Sequence, residues 1–164
     1  MGRVTDAGGS MALDRPFDPE TRVTSRAGQP PRIERGCDIC VVGSGASGIS
    51  AAIEAARAGR EVILVDGLPA LGGQAVNSII GMFCGLYTPG PDGRQLTHGI
   101  ADEILSELGL AGDVKVLPGG VMKVAVYNEV ALGRWVERKV HSEGIAPLTG
   151  AIIRAVNLDG RRVR

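Results

Sequence analysis

Gly43, Gly45 and Gly48, with Ser44, Ala46 and Ser47 between them, have the types and the Gly-x-Gly-x-x-Gly spacing to cradle a diphosphate. Asp66 follows at about the 20-residue interval expected of a sugar-binding acid. Each position has a physical reason. Gly43 permits a tight turn, Gly45 lacks the Cβ that would hold a pyrophosphate away, and Gly48 lets a helix approach a strand closely. The phosphates would rest on unpaired backbone N–H groups where a helix begins near Ala46, favoured there by the helix dipole and needing no lysine. The Asp66 carboxylate can accept hydrogen bonds from both hydroxyls of an adenosine ribose.

Those residues work together only if a strand delivers the glycines and a helix leaves them. The apolar run Cys40-Val41-Val42 leads into Gly43, an Ala-rich stretch follows and stops at Gly59, and Glu61-Val62-Ile63-Leu64-Val65 ends in Asp66. The order strand, phosphate turn, helix, strand predicts an α/β fold of the dinucleotide-binding, Rossmann-like kind, with a parallel sheet and covering helices. The bland alternative is a glycine-rich turn in an α/β domain that binds nothing.

Composition narrows the partners. At 164 residues with 44% hydrophobic content, the chain suffices for one domain with a modest core. A formal net charge of zero, with no basic stripe or acidic tail, gives no reason to expect nucleic acid or an anionic membrane. The 3% aromatic content also argues against base-stacking surfaces. No apolar run approaches the roughly 20 residues of a membrane span, and the N-terminus lacks a secretory signal's apolar core. The expected location is the cytoplasm.

Residues 1–36 hold Pro16, Pro19, Pro30 and Pro31, several glycines and no apolar periodicity, and are expected to be a disordered leader. Met11 is a second candidate for the first residue. Cys37 and Cys40 have redox-pair spacing. On a strand, however, residues three apart face opposite sides and lie roughly 10 Å apart, beyond the ~7 Å bridging limit. Cys40 is expected to be a small buried hydrophobe. With three cysteines and two histidines, His98 and His141, a metal site is not expected.

After Asp66 the chain runs Gly67-Leu68-Pro69-Ala70-Leu71-Gly72-Gly73-Gln74, and a glycine doublet there would let the backbone pass close to a second part of the cofactor. With this doublet the sequence, from about residue 37 onward, resembles the N-terminal part of the FAD-dependent oxidoreductases of the glutathione reductase-like superfamily, whose members carry two dinucleotide-binding motifs. The stretch from Gly72 through Asn77, Ser78 and Cys84 to Tyr87 is similar to a branch known simply as FAD-dependent oxidoreductases. The resemblance implies FAD as cofactor, with Gly43, Ser44, Gly45, Ala46, Ser47 and Gly48 around the pyrophosphate and Asp66 on the adenosine ribose. The superfamily usually has Glu at that position, one methylene longer. Gly72, Gly73 and Gln74 would lie along the flavin half, where Asn77 or Ser78 could hydrogen-bond the ring. A strand starting near Ala151 would correspond to the one that touches the adenine edge, which makes Ile153 a contact.

The remaining elements read as scaffold. Residues 78–94 are a loop on the flavin side or at an interface, and Cys84 is its one residue with redox chemistry of its own. Residues 95–108 have helical apolar spacing at Leu96, Ile100, Ile104, Leu105 and Leu108, with His98 a partly exposed helix residue. Strands joined by a turn at Gly119-Gly120 are expected within residues 114–127. Asn128 is a good N-cap for a helix carrying Leu132, Val136 and Val140 inward, with Arg134, Glu137, Arg138 and Lys139 outward and Gly144 as its stop.

Residues 151–158 read as a strand, and Asp159-Gly160 is a hairpin signal with only residues 161–164 to return. The expectation is therefore a leader, 1–36, and the N-terminal part of an FAD-binding domain, 37–164, cut within a β-hairpin at the start of a β-meander and incomplete on its own. Its partners would be a complementary polypeptide, which completes the flavin and substrate domains, and a small-molecule substrate. The expected activity is hydride transfer between that substrate and FAD, performed as part of a hetero-oligomeric flavoenzyme. Two alternatives stay open: a non-catalytic FAD- or dinucleotide-binding subunit or inactive fragment, and an NAD(P)-binding Rossmann protein.

Overall fold

The computed structural model describes residues 34–90 and 92–163. The expected leader, apart from Glu34, Arg35 and Gly36, and the alternative start at Met11 lie outside the described residues. From Arg35 onward the chain forms one compact unit.

Strand β1 (Ile39–Val42) runs into Gly43, whose φ of 95° suits only glycine, and the chain turns into helix α1 (Ala46–Arg57). Ile49, Ala52 and Ile53 recur at helical spacing on α1 and are buried. The helix stops where the Ala58 and Gly59 N–H groups turn back to the Glu54 and Ala56 carbonyls. Strand β2 (Val62–Val65) is buried along its whole length, as an unbroken apolar run in a parallel sheet should be.

A short helix, α2 (Gly73–Asn77), and a two-residue strand, β3 (Met82–Phe83), precede helix α3 (Ile100–Leu110). Strands β4 (Val114–Gly119) and β5 (Met122–Tyr127) form the expected hairpin and lead to helix α4 (Glu129–Ser142). Strand β6 (Ala146–Leu148) follows, and a small hairpin, β7 (Leu158–Asp159) with β8 (Arg162–Val163), comes last.

The parallel sheet has the order β1-β2-β6, with Val41 opposite Leu64 and Leu64 opposite Pro147. A second, antiparallel sheet has the order β3-β5-β4. Asn128 caps α4 as expected, its side chain accepting from the Val130 N–H at 3.0 Å and the Ala131 N–H at 3.2 Å. Leu132, Trp135, Val136 and Val140 of α4 pack with Ile53 and Leu64 in the core. The Trp135 indole N–H, buried with its ring, donates to Glu107 at 2.9 Å.

Acidic and basic groups lace the three long helices together. Arg57 on α1 pairs with Glu103 on α3 at 2.7 Å and with Glu143, just past α4, at 2.7 Å. Lys139 on α4 pairs with Glu103 at 2.8 Å and Glu107 at 2.9 Å. Hydrogen bonds from Arg57 and then Lys139 hold the Glu103 carboxyl down at about 2.

Several expectations need correction. Residues 151–158, expected to be a strand, contribute only Leu158 to one, at the start of the β7–β8 hairpin, and the third strand of the parallel sheet is β6. A three-residue strand containing Pro147 carries no periodic signal, whereas the apolar residues after Gly150 imitate one while Ile152 and Val156 stay exposed. Helix α3 starts at Ile100 rather than residue 95, because the Gly99 N–H is taken by the Asp102 side chain at 2.9 Å and Gly99 has a positive φ. Leu96 and His98 therefore lie before the helix. Lys139 is half-buried in the ion-pair network rather than turned outward. Cys40 is exposed, because among the described residues β1 pairs only with β2 and so forms an edge of the sheet.

Candidate cofactor site

The glycine turn sits where β1 gives way to α1. The Gly43 N–H donates to the Val65 carbonyl at 2.7 Å, so the turn is tied to β2 before the helix begins. Adding a Cβ to Gly48 would drive it into the Gly43 carbonyl and to 3.5 Å from Val41, and the absence of a side chain there is what brings α1 down onto β1. Gly45 contrasts with it: a Cβ there meets nothing within 4 Å. Its outer face is open space.

The first bond within α1 runs from the Ile49 N–H to the Gly45 carbonyl at 2.9 Å. Gly45 provides no side-chain cap, and the first turn contains no acidic residue. The leading amides of α1 thus point beyond the helix without a side-chain acceptor, a positive end suited to an anion.

Asp66 leaves β2 beside this turn, half-buried. Its Oδ2 accepts from both the Ser44 N–H and the Ser44 hydroxyl, each at 2.6 Å, and its Oδ1 accepts from the Leu68 N–H at 2.8 Å. The Ser44 hydroxyl, followed by the two backbone N–H groups, holds the Asp66 carboxyl below its usual range, so it is ionised at neutral pH. Around it, the Asp66 N–H donates to the Leu148 carbonyl of β6, and the Ala151 N–H donates to the Asp66 carbonyl at 3.0 Å.

The glycine doublet docks directly on the turn. The Gly72 N–H donates to the Ser44 carbonyl at 3.0 Å, and Gly73 lies over Gly45 so closely that an added Cβ would come within 2.7 Å of the Gly45 Cα. Both doublet residues have positive φ, 103° and 54°. Helix α2 is then pinned from the second sheet, where the Tyr127 hydroxyl donates to the Ala75 carbonyl at 2.9 Å and the Tyr127 ring stacks on Phe83 at 4.3 Å. Beside the turn, an apolar cavity of about 590 Å³ lies among α1, α3 and α4, bounded by Ile49, Ile100, Leu105 and Trp135 and reaching Ala46 and Gly72.

Over residues 38–164 the sequence matches the family described as FAD dependent oxidoreductase. The chain belongs to that family. Its cofactor is FAD.

Two solved structures agree at the level of the fold. The Diels-Alderase PyrE3 of pyrroindomycin biosynthesis superposes with a TM-score of 0.51 at 15% identity, over 76% of this chain and 27% of that one. The L-amino acid deaminase from Proteus vulgaris does so with a TM-score of 0.50 at 13% identity, over 84% of this chain and 45% of that one. THI4 from Thermovibrio ammonificans gives 0.49 at 19% identity, over 78% of this chain and 45% of that one. The chain spans less than half the length of each of these proteins.

The residues present fit the family's dinucleotide cofactor. Open space over Gly45, uncapped amides at the start of α1 and an ionised acid at the end of β2 are the three features a diphosphate joined to a ribose requires. The structure gathers Gly43, Ser44, Gly45, Ala46, Ser47, Gly48, Asp66, Gly72 and Gly73 in one place. Gln74 and Ser78 lie on and just after α2, with exposed side chains. Ile153 is part of no strand and is 45% exposed, past the point where the Ala151 N–H joins the Asp66 carbonyl. Cys84 is exposed.

Sequence reasoning missed the Ser44–Asp66 pair and the Tyr127 strut. Neither has a spacing signature, because both join residues from different elements. Among the described residues, no helix is long and apolar enough to cross a membrane.

Proposed function

We propose that this chain is the FAD-binding part of a flavin-dependent oxidoreductase of the glutathione reductase-like superfamily, transferring a hydride between a small organic substrate and the flavin. The observation that carries this reading is the phosphate turn at residues 43–48, bonded on one side to Asp66 and on the other to the glycine doublet. FAD would supply the redox chemistry, and the chain's residues orient it. The α1 amides hold the diphosphate, Asp66 holds the sugar, and Gly72, Gly73 and Gln74 lie along the flavin half, with Ser78 close by. Residues 37–164 act as the cofactor-binding domain, and Ile153 approaches the adenine.

The chain works with a complementary polypeptide in a cytoplasmic hetero-oligomer. Two features support such a partner. Among the described residues the β1 edge is unpaired, with Ile39 and Val42 exposed beside it. The β7–β8 hairpin likewise leaves Leu158 and Val163 mostly exposed. A strand of the second polypeptide laid along β1 would cover the first of these edges.

The test is to co-express the chain with the products of its neighbouring reading frames, purify it, and record the visible spectrum before and after adding candidate substrates without oxygen. Bound flavin that bleaches supports the proposal. Purified complex free of flavin, or flavin that no reductant added to the complex can bleach, overturns it.

A further inference from the structure

We propose that Ser44 is a positioning residue that commits one oxygen of Asp66 to the protein, leaving that carboxylate to grip only one of the two adenosine ribose hydroxyls. The proposal rests on the cofactor site described above. Ser44 has no exposed surface, and its two donors, the N–H and the hydroxyl, both end on Asp66 Oδ2 at 2.6 Å. Neither donor remains for a phosphate oxygen. The part Ser44 plays is therefore to fix the acid, while the neighbouring amides face the diphosphate.

The rest follows from the acceptor capacity of a carboxylate. An ionised carboxylate offers about four lone-pair sites. Ser44 takes both on Oδ2, and the Leu68 N–H takes one on Oδ1 at 2.8 Å. One site is left, on Oδ1. The Ser44 oxygen is sealed from the crevice and cannot serve the second hydroxyl. Asp66, one methylene shorter than Glu and tied at both oxygens, thus reads the sugar through a single contact.

ADP carries the diphosphate and ribose that these residues address, and it can be compared with 2′-deoxy-ADP and 3′-deoxy-ADP by calorimetry on the co-expressed complex stripped of flavin. The expected result is that one deoxy analogue binds roughly tenfold or more weakly than ADP, as loss of a hydrogen bond to a charged group implies, while the other stays within about twofold. In Ser44→Ala the freed Oδ2 site lets the carboxylate take either hydroxyl, so the two analogues come to bind alike. Ser44→Thr, which keeps the hydroxyl, restores the one-sided pattern.

Equal weakening by both deoxy analogues in the unaltered chain overturns the single-contact proposal while leaving the cofactor site intact. A one-sided pattern that persists in Ser44→Ala overturns the role of Ser44. Absence of any ADP binding to the complex holding the unaltered chain overturns the cofactor-site reading and this proposal with it. The analogue comparison in the unaltered chain needs no variant to fold.

Discussion

Gly73 stands on Gly45, and a single added methyl group on the first would come within 2.7 Å of the Cα of the second. The glycine doublet and the phosphate turn are thereby one structure, although more than twenty residues of chain separate them. Gly73→Ala should push α2 away from the turn and impose the positive φ of 54° on a residue that resists it. We expect a stability loss of about 1–3 kcal/mol in a denaturant titration, with flavin content of the purified complex reduced in parallel.

Gly45 and Gly48 belong to one motif but should fail in different ways. Gly45 has an ordinary φ of −67° and open space where a side chain would go, so Gly45→Val should fold with nearly unchanged stability and lose FAD, because the new side chain occupies the phosphate's place. Gly48→Ala instead collides with the Gly43 carbonyl and should cost about 2–3 kcal/mol of stability. Thermal melts and flavin content measured side by side check the contrast. Full FAD occupancy in Gly45→Val would refute the placement of the diphosphate.

The Glu103 network sets an acid limit on the helix cluster. Its carboxyl is lowered from 4.5 to about 2 in the folded protein, so the ionised form stabilises the fold above the unfolded value. That contribution is lost as pH falls from about 4.5 toward 2. With solvent screening at a partly exposed network, it amounts to roughly 1–2 kcal/mol. Glu103→Gln should be less stable than the unaltered chain at neutral pH, and the gap should close across that window. A gap independent of pH would show that the substitution acts through packing instead.

Ile79 carries backbone strain. It is β-branched, has a φ of 53°, and is 89% exposed, so no packing of the described residues rewards the conformation. Ile79→Gly should raise stability by up to about 1 kcal/mol, since relief of the left-handed penalty slightly exceeds the added chain entropy. Placed just past α2, a strained apolar side chain is also a feature found near ligand sites. Unchanged or reduced stability in this variant would show that the strain is not real.

What could be read from the sequence was whatever is written in local chemistry. The turn at residues 43–48, the Gly59 stop, the Asn128 cap and the hairpin turn at Gly120 each depend on residue types within a few positions, and each lies in the structure where those types place it. Strand β6 was illegible because three residues, one of them Pro147, have no period to display. Ile152 and Ile153 misled for the converse reason, as apolar residues need not pair merely because they are consecutive. Cys40 was misjudged because burial depends on which strand lies next door, and no residue of β1 records that. In the site, the glycines were plain, but the Ser44–Asp66 contact arises only when β1 and β2 are brought side by side.

Tyr127 couples the β3-β5-β4 sheet to the cofactor site. Its ring rests on Phe83, and its hydroxyl holds the Ala75 carbonyl, so helix α2 is fixed by a strand that never approaches the nucleotide turn in sequence. Anything that bends the antiparallel sheet, such as a neighbour settling on its outer face, has a mechanical route to the glycine doublet. Cofactor grip in this fold is thus tensioned from a distance, like a string tuned at its far peg.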